Sequence, residues 1–277
     1  MGLLDGKSAI VTGSARGIGL ATAELFAANG AKVLINDLDG DAAEQAAAGI
    51  DGETVVYAGD MTRPEAAEEL VAAAHEAFGS VDIVVNNAGY TWDGVAHKMS
   101  DEQFQAMLDI HTIVPFRVAR ALAPHWREAA KAEAAEGREV FRKLINVSSI
   151  SGTMGNPGQI NYSAGKSAVV GMTKTLAKEW GQFKINVNAV AFGFVETRLT
   201  AAKDEGSETV KAPDGSDIQL GIPEQMRAMA SMIIPLGRPA TVEEASGPVL
   251  FLASGLADYV HGQVLNVTGG QFGGMYT

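Results

Sequence analysis

The chain has 277 residues, of which 47% are hydrophobic and 19% charged, a composition typical of a compact globular protein. Its formal net charge of −12 would repel a nucleic-acid backbone and an anionic lipid surface, so we expect neither as a partner. There is no cysteine, no secretion signal in Met1–Ile10 and no apolar run of the ~18 residues that a membrane span needs, and we therefore expect a cytoplasmic protein.

Short β-branched runs alternate with longer, alanine-rich segments along the chain. Several runs are apolar nearly throughout, as in a parallel sheet that helices cover on both faces. The predicted strands are Lys7–Thr12, Ala31–Asn36, Thr54–Ala58, Val81–Asn86, Lys143–Val147, Ile185–Val190 and Val264–Val267. The alternation predicts an α/β fold: a single doubly wound (Rossmann) domain over residues 1–277, with a parallel sheet of about seven strands.

Helix boundaries are marked by capping residues. Segments beginning at Thr62, Ser100 and Thr241 have the composition of a capping box, which marks a helix start. Gly30 and Gly79 stand where a left-handed residue commonly ends a helix.

Two segments depart from the alternation. Ala129–Gly137 is polar and alanine-rich, and we predict a solvated extension of the preceding helix. Ala201–Pro235 is rich in Gly, Pro, Asp and Met, with a short helical pattern at Glu224–Met232. A segment of this length inside one domain is often a lid over a site, so we predict a substrate lid at about residues 198–235.

A glycine-rich turn follows the first predicted strand. Thr12–Gly19 leads into a predicted helix at Leu20–Asn29. Glycines allow a tight turn and a close approach of backbone N–H groups to a pyrophosphate, and the helix N-terminus adds partial positive charge. Such a turn can also arise for steric reasons alone, but its place between strand and helix favours dinucleotide binding.

The next strand ends beside Asp37, where this fold places an acidic side chain against the adenosine ribose hydroxyls. A carboxylate there also repels the 2′-phosphate of NADP. The alternative is a solvated turn aspartate before Asp39 and Gly40. Arg16 favours the opposite cofactor, since a cation could hold that phosphate. We expect NAD(H) to be preferred, with NADP(H) possible.

Tyr162 and Lys166 are four residues apart at the start of a predicted helix, Tyr162–Trp180, and therefore share one helix face. A free tyrosine has a pKa of about 10, and a neighbouring cation lowers it toward the working range. Ser149 lies upstream at the end of a predicted strand, where parallel sheets present residues to ligands. Its alternative role is a hydroxyl that stabilises a turn.

The order of these motifs resembles the short-chain dehydrogenase/reductase family over nearly the whole chain. Thr12–Gly19 is similar to the family's glycine motif, and Asn86–Gly89 to the segment that supports its central sheet. Ser149, Tyr162 and Lys166 match the catalytic serine, tyrosine and lysine. The resemblance implies hydride transfer between a nicotinamide cofactor and a ketone or secondary alcohol. We expect no metal site, since the chain has no cysteine.

The family's site residues carry over as follows. Tyr162 would donate a proton to the carbonyl oxygen, Ser149 would hydrogen-bond that oxygen, and Lys166 would lower the tyrosine pKa and hold the nicotinamide ribose. Asp60 resembles the aspartate that meets the adenine amine, and Gly193 begins a segment similar to the one that holds the nicotinamide amide. The implied cofactor-binding residues are Gly13, Arg16, Gly17, Ile18, Gly19, Asp37, Asp60, Met61, Asn87, Gly89, Tyr162, Lys166, Gly193, Val195 and Thr197.

The chain departs from the family pattern at several positions. His111 stands where the family usually has an asparagine in a proton relay, and it either continues that relay or is only a packed helix residue. Phe192 replaces a usual proline, and Tyr90 and Trp92 replace smaller residues. We predict Trp92 and Phe192 as substrate residues, the alternative being ordinary core or subunit packing.

Within the family, the chain looks most like 3-oxoacyl-(acyl-carrier-protein) reductases. Ser151 and Gln159 occupy positions that line their substrate cleft. Those reductases commonly use NADPH, whereas Asp37 favours NAD(H), so a carbonyl reductase or a secondary-alcohol or 3-hydroxyacyl dehydrogenase is the first expectation. The NADPH-dependent reductase of fatty-acid synthesis is the alternative, and a non-catalytic cofactor sensor is a distant one. The substrate would be a small ketone, an alcohol or an acyl thioester.

The resemblance also implies a homotetramer, with Gln263–Gly270 and the tail Gln271–Thr277 in subunit contacts. The remaining histidines show no metal-ligand spacing, and we predict surface or structural roles for them. They are His75, His97, His125 and His261.

Overall fold

The computed structural model describes residues 2–202, 209–211, 215, 217–222 and 224–271. Its main sheet has seven strands, all of them parallel. They are β1 (Ser8–Thr12), β2 (Lys32–Asp37), β3 (Thr54–Ala58), β4 (Ile83–Asn86), β5 (Arg142–Ser149), β6 (Ile185–Phe192) and β9 (Val264–Val267). The helices are α1 (Gly17–Ala28), α2 (Gly40–Gly49), α3 (Ala66–Phe78), α4 (Asp101–Leu108), α5 (Val114–Ala135), α6 (Ile150–Met154), α7 (Ile160–Trp180), α8 (Glu224–Ile233) and α9 (Val242–Ala253).

The strand order is β3-β2-β1-β4-β5-β6-β9. The chain first builds outward from β1 through β2 to β3, then returns to the other side of β1 and builds outward again from β4. Connections on the two sides therefore diverge between β1 and β4. In an open α/β sheet, ligands bind outside the carboxyl ends of the strands at this switch point.

Two apolar clusters cover the two faces of the sheet. Neighbouring residues of β1 point to opposite faces, with Val11 in one cluster and Ile10 in the other. The first cluster contains Phe26 of α1 and Leu252 of α9. The second contains Leu122 of α5, together with residues of α3 and α7. These layers confirm the predicted doubly wound architecture.

Most predicted boundaries agree with the structure, and capping explains the exceptions. Ser100 and Thr241 form complete capping boxes on α4 and α9, and Gly30 and Gly79 have φ of +89° and +78°. The capping box at Thr62 is wrong, because its N–H and hydroxyl both donate to Asp60 Oδ1, at 2.8 and 2.7 Å. Helix α3 begins instead at Ala66, after an N-cap without a side-chain hydrogen bond.

The predicted lid segment forms a short hairpin and a helix. Strands β7 (Thr209–Lys211) and β8 (Asp217–Gln219) pair antiparallel, and α8 follows. Residues 203–208, 212–214, 216 and 223 of this segment, and 272–277 of the predicted contact tail, lie outside the described residues. The predicted extension of α5 is observed as far as Ala135. Among the described helices, none combines the length and apolarity that crossing a membrane requires.

Candidate active site

A cavity of about 530 Å³ opens at the carboxyl ends of the central strands. The segments after β4, β5 and β6 supply most of its lining, and α1, α7 and the predicted lid complete it. The sequence-predicted residues that line it are Ile18, Asn87, Gly89, His111, Ser149, Ser151, Gln159, Tyr162, Lys166, Phe192, Gly193, Val195 and Thr197. The fold therefore brings residues from distant parts of the sequence to one site.

The glycine turn packs tightly against the segment that follows β4. Gly13 has a φ of +62°, and a Cβ there would lie 2.7 Å from the backbone of Ala88. Asn87 Nδ2 donates to the carbonyl oxygens of Thr12 and Gly13, at 2.9 and 3.0 Å. A Cβ on Gly19 would lie 2.2 Å from the Gly13 oxygen. Only glycine fits at these two positions, and Asn87 fixes the shape of the turn.

The N-terminus of α1 suits an anionic ligand. Gly17 opens the helix with a φ of +57°, and the N-cap residue Arg16 makes no side-chain cap. Side chains cap α2, α4 and α9, whereas α1, like α3, has no side-chain cap. Uncapped N–H groups and the helix dipole together favour a phosphate group at this end. The residues present here therefore fit the pyrophosphate of a dinucleotide.

Asp37 lies beside this turn at the end of β2. Its Oδ2 accepts from the Ala15 N–H, and its Oδ1 accepts from the Asp39 N–H, both at 3.2 Å. Arg16 donates to Asp39 at 2.7 Å, and this hydrogen bond lowers the pKa of the Asp39 carboxyl. The carboxylate of Asp37 is thus held by backbone groups, while the Arg16 guanidinium is paired with a second carboxylate.

The other predicted cofactor residues follow β3 or β6 in the chain, and one of them is buried in the core. Asp60 is exposed after β3, and its carboxylate accepts from Thr62. Met61 is 4% exposed and its side chain belongs to an apolar cluster, away from the cavity lining. Gly193 follows β6, and its N–H donates to the Val267 oxygen at 2.9 Å. A Cβ on Gly193 would approach the neighbouring backbone to 3.0 Å, so a larger residue would displace this segment.

Ser149, Tyr162 and Lys166 come together at the floor of the cavity. Ser149 ends β5 and caps α6, its Oγ accepting from the Ser151 N–H at 3.1 Å. Lys166 is 4% exposed and donates to the Val147 oxygen at 2.7 Å. Its Nζ lies 5.7 Å from the centroid of the Tyr162 ring. The (i, i+4) spacing on α7 therefore produces the predicted juxtaposition of phenol and amine.

Burial determines the charge state of this pair. Burial raises the pKa of Tyr162 to about 12, although the hydrogen bond with the Ser149 side chain acts in the opposite direction. Burial lowers the pKa of Lys166 to about 7. Loss of solvation is the largest cause of both pKa shifts, and the lowering of the tyrosine pKa by Lys166 stays a prediction. Tyr162 is a neutral phenol at neutral pH.

His111 lies on a π-helical turn, Asp109–Ile113, between α4 and α5. It is 2% exposed, and its Nε2 lies 2.8 Å from the Tyr90 carbonyl oxygen. Burial lowers the pKa of His111 well below its usual value. A Cβ on Gly89 would lie 2.2 Å from the imidazole ring, so the ring needs glycine there. His111 is thus a neutral group packed into the wall of the cavity.

The substrate side includes residues that sequence reasoning missed. Ser151, Gln159 and Phe192 line the cavity as predicted, but Trp92 lies outside the lining and packs against an apolar cluster instead. Asp93, only one residue further, does line it. No sequence signal distinguished Asp93 from other loop aspartates. Asn156, Leu199, Thr200, Ile222 and Ile233 also line the cavity and were not predicted individually.

The family model described as short chain dehydrogenase matches residues 7–208. The chain belongs to the short-chain dehydrogenase family. As a member, it is an NAD(P)-dependent oxidoreductase of alcohol and keto groups.

Similar curated proteins cover the chain nearly end to end. A 3-oxoacyl-(acyl-carrier-protein) reductase of Thermotoga maritima is 36% identical over 96% of this chain and 98% of its own. The protein of that name from Vibrio cholerae is 37% identical over 97% and 98%. An uncharacterized oxidoreductase of Mycobacterium tuberculosis is 35% identical over 98% of both chains. The short-chain dehydrogenase assignment therefore extends beyond the matched segment to the predicted lid.

Proposed function

We propose that the protein reduces the ketone of 3-oxoacyl thioesters to the secondary alcohol, with NADH as the preferred hydride donor. The observation that carries the reaction is the meeting of Ser149, Tyr162 and Lys166 in one cavity. The substrate class rests on the relatives named as 3-oxoacyl-(acyl-carrier-protein) reductases. This was the alternative to the carbonyl reductase or dehydrogenase first expected from the sequence, and the relatives favour it.

The chain's own residues perform the proton chemistry in this proposal. Tyr162, kept neutral by burial, donates its proton to the ketone oxygen. The Ser149 hydroxyl hydrogen-bonds the same oxygen and stabilises the negative charge that develops there. Lys166 lies beneath the phenol and would hold the nicotinamide ribose. The bound nicotinamide supplies the hydride, and the glycine turn and the N-terminus of α1 hold the cofactor's pyrophosphate.

The preference for NADH rests on charge beside the glycine turn. Asp37 is held where it can accept hydrogen bonds from ribose hydroxyls. A 2′-phosphate would meet the carboxylates of Asp37 and Asp39, and Arg16 is already paired with the latter. The electrostatic balance therefore favours the cofactor without the phosphate.

The same carboxylate favours a second candidate, an NAD-linked dehydrogenase that oxidises a secondary alcohol or 3-hydroxyacyl substrate. Asp37 is the specific observation for it, because NAD-linked members of such families commonly run in the oxidative direction. The two candidates share one site and one reaction and differ in direction. Comparing forward and reverse kcat at one pH separates them, because the equilibrium constant fixes the ratio of the kcat/KM values but not the ratio of the saturating rates.

The assembly and location belong to the proposal as well. We expect a cytoplasmic homotetramer, as the resemblance implies. Exposed apolar side chains near the C-terminal strand, Leu256 at 68% and Tyr259 at 104% exposure, suit a subunit contact. A monomeric mass in light scattering would contradict it.

The test follows the absorbance of reduced nicotinamide with NADH and with NADPH, against three ketones. These are an acetoacetyl thioester, an aryl ketone and a cyclic diketone. The proposal expects the highest kcat/KM with NADH and the thioester. Faster turnover with NADPH would overturn the role given to Asp37, and preference for the aryl or cyclic ketone would overturn the substrate class. Tight NADH binding without any turnover would favour a cofactor-sensing protein.

A further inference from the structure

A chain of hydrogen bonds runs from the rim of the cavity toward the catalytic serine. Gln159 Nε2 donates to Asp93 Oδ1 and Oδ2, at 3.2 and 3.0 Å. Gln159 Oε1 accepts from Ser151 Oγ at 3.1 Å and from Asn156 Nδ2 at 2.9 Å. The Ser151 N–H in turn donates to Ser149 Oγ at 3.1 Å. The rim and the reacting centre thus belong to one polar network.

Asp93 sets the direction of this chain. A carboxylate can only accept hydrogen bonds, so the NH2 group of Gln159 must face it and the amide oxygen must face Ser151. The hydroxyl hydrogen of Ser151 is then committed to Gln159. The network therefore holds a fixed negative charge at the rim.

The charges around the described part of the cavity are unevenly placed. Among the described lining residues, Asp93 supplies the one carboxylate, at the exposed rim, and Lys166 supplies the one amine. Lys166 lies on the floor, 4% exposed and bonded to a backbone oxygen. His111 is neutral, because burial keeps its pKa low. An anionic group that enters past Asp93 would therefore meet a carboxylate before it reaches the Lys166 amine.

We propose that Asp93 is a specificity-determining residue that selects substrates with an uncharged group beside the reacting ketone. Esters and thioesters have no charge beside the ketone and are not repelled. The carboxylate of a free oxo acid is repelled by the Asp93 carboxylate. The inference rests on the proposed ketone reduction in this cavity and adds a reason why an acyl group would have to arrive esterified. Because Asp93 is exposed, solvent screens its charge, and we expect discrimination of about five- to tenfold from this residue.

The field of Asp93 also reaches the proton donor. Its negative charge adds to the burial that raises the pKa of Tyr162. Removing the Asp93 charge should therefore lower the apparent pKa at which the rate falls on the alkaline side of the pH profile. A residue that only supported the fold of the loop would not shift this pKa, so the pH profile gives a second, independent readout.

The experiment compares acetoacetate, its ethyl ester and an acetoacetyl thioester in wild type, Asp93→Asn and Asp93→Glu. Asparagine keeps an oxygen that can accept from Gln159 but has no charge, and glutamate keeps the charge. Glu76→Gln on α3 is the matched control, because it removes an exposed carboxylate that does not line the cavity. We expect Asp93→Asn to raise kcat/KM for acetoacetate about five- to tenfold, mainly through KM, more at low salt than at high salt. The ester should change by less than about twofold.

The outcomes separate this inference from the proposed function. An unchanged ratio of ester to acid in Asp93→Asn, or an equal change in Glu76→Gln or Asp93→Glu, would overturn the role of Asp93. The ratio is measured with the ethyl ester, which does not depend on thioester turnover. Failure of the thioester alone would overturn the proposed substrate class and leave the ester and acid to decide the role of Asp93.

Discussion

The ring of His111 meets the ring of Tyr162 edge to face, with centroids 4.9 Å apart and planes at 90°. The Tyr90 carbonyl beside Nε2 can only accept, so the imidazole proton is on Nε2. Nδ1 is then an unprotonated acceptor, buried and without a partner among the described residues. A buried acceptor in the cavity wall beside the proton donor is suited to relay a proton through a water molecule.

Two amide variants, each of which keeps a polar atom near one ring nitrogen, test this role of His111. His111→Gln can still donate to the Tyr90 oxygen but loses the acceptor at the position of Nδ1, whereas His111→Asn keeps a polar atom there and loses that donor. If Nδ1 relays protons, His111→Gln should lower kcat roughly 100-fold with little change in KM for NADH. His111→Asn should retain more of the rate.

The measurement is steady-state kinetics in H2O and D2O, with thermal unfolding as a control for folding. A relay predicts a changed solvent isotope effect in His111→Gln. Wild-type kcat in that variant would instead make His111 a packing residue.

Tyr162→Phe should remove nearly all turnover while leaving NADH binding largely intact. Phenylalanine keeps the buried ring against His111 and Lys166 but has no proton to donate. We expect a fall in kcat of at least about 100-fold, within the range for loss of a general acid. NADH affinity is measured by fluorescence titration. Turnover close to that of the wild type would show that another group protonates the ketone oxygen.

Asp37→Asn should relax the preference for NADH over NADPH. Asparagine still reaches the ribose hydroxyls but no longer repels a 2′-phosphate, so kcat/KM for NADPH should rise about tenfold or more. Adding Asp39→Asn removes a second carboxylate beside the ribose site and weakens one hydrogen bond of Arg16, so kcat/KM for NADPH should rise further. The pair of variants is compared with both cofactors at one saturating ketone concentration. Unchanged selectivity in both would show that these carboxylates do not choose the cofactor.

The alternation of apolar runs predicted the sheet well because each strand of a covered parallel sheet is buried on both faces. Its ends were harder to place. Strand β5 extends past the predicted Val147 to Ser149, since Ser148 and Ser149 still pair with Ala191 and Phe192 of β6. Serine has no strand preference of its own, so the neighbouring strand decides.

The parts of the site that a sequence motif specifies could be predicted. The parts that depend on packing between remote segments could not. The spacing of Tyr162 and Lys166 was sufficient to place both on one face of α7. The π-helical turn at His111 and the place of Asp93 in the cavity depend on contacts between remote segments, such as the approach of Gly89 to the imidazole. Trp92 shows the converse, because a loop aromatic can pack on the core as readily as face a substrate.

A pair of histidines outside the site makes stability depend on pH. His75 of α3 and His125 of α5 lie with ring centroids 4.3 Å apart. Burial, and then the neighbouring His125, lowers the pKa of His75, and its Nε2 is buried without a partner among the described residues. Below about pH 6.5 the unfolded chain therefore binds more protons here than the folded protein does.

The stability from this pair is fully present above about pH 6.5 and is lost as the pH falls through the lowered pKa of His75. We expect the Tm to fall between about pH 7 and pH 5, and to fall less steeply in His75→Phe, which keeps a stacked ring that cannot be charged. His97→Gln is the control, because His97 is an exposed histidine on another segment. Scanning calorimetry across this range gives the slopes. Equal slopes of Tm against pH for wild type and His75→Phe would show that other groups cause the acid sensitivity. Replacing the His75 imidazole would then have left the loss of stability on protonation unchanged.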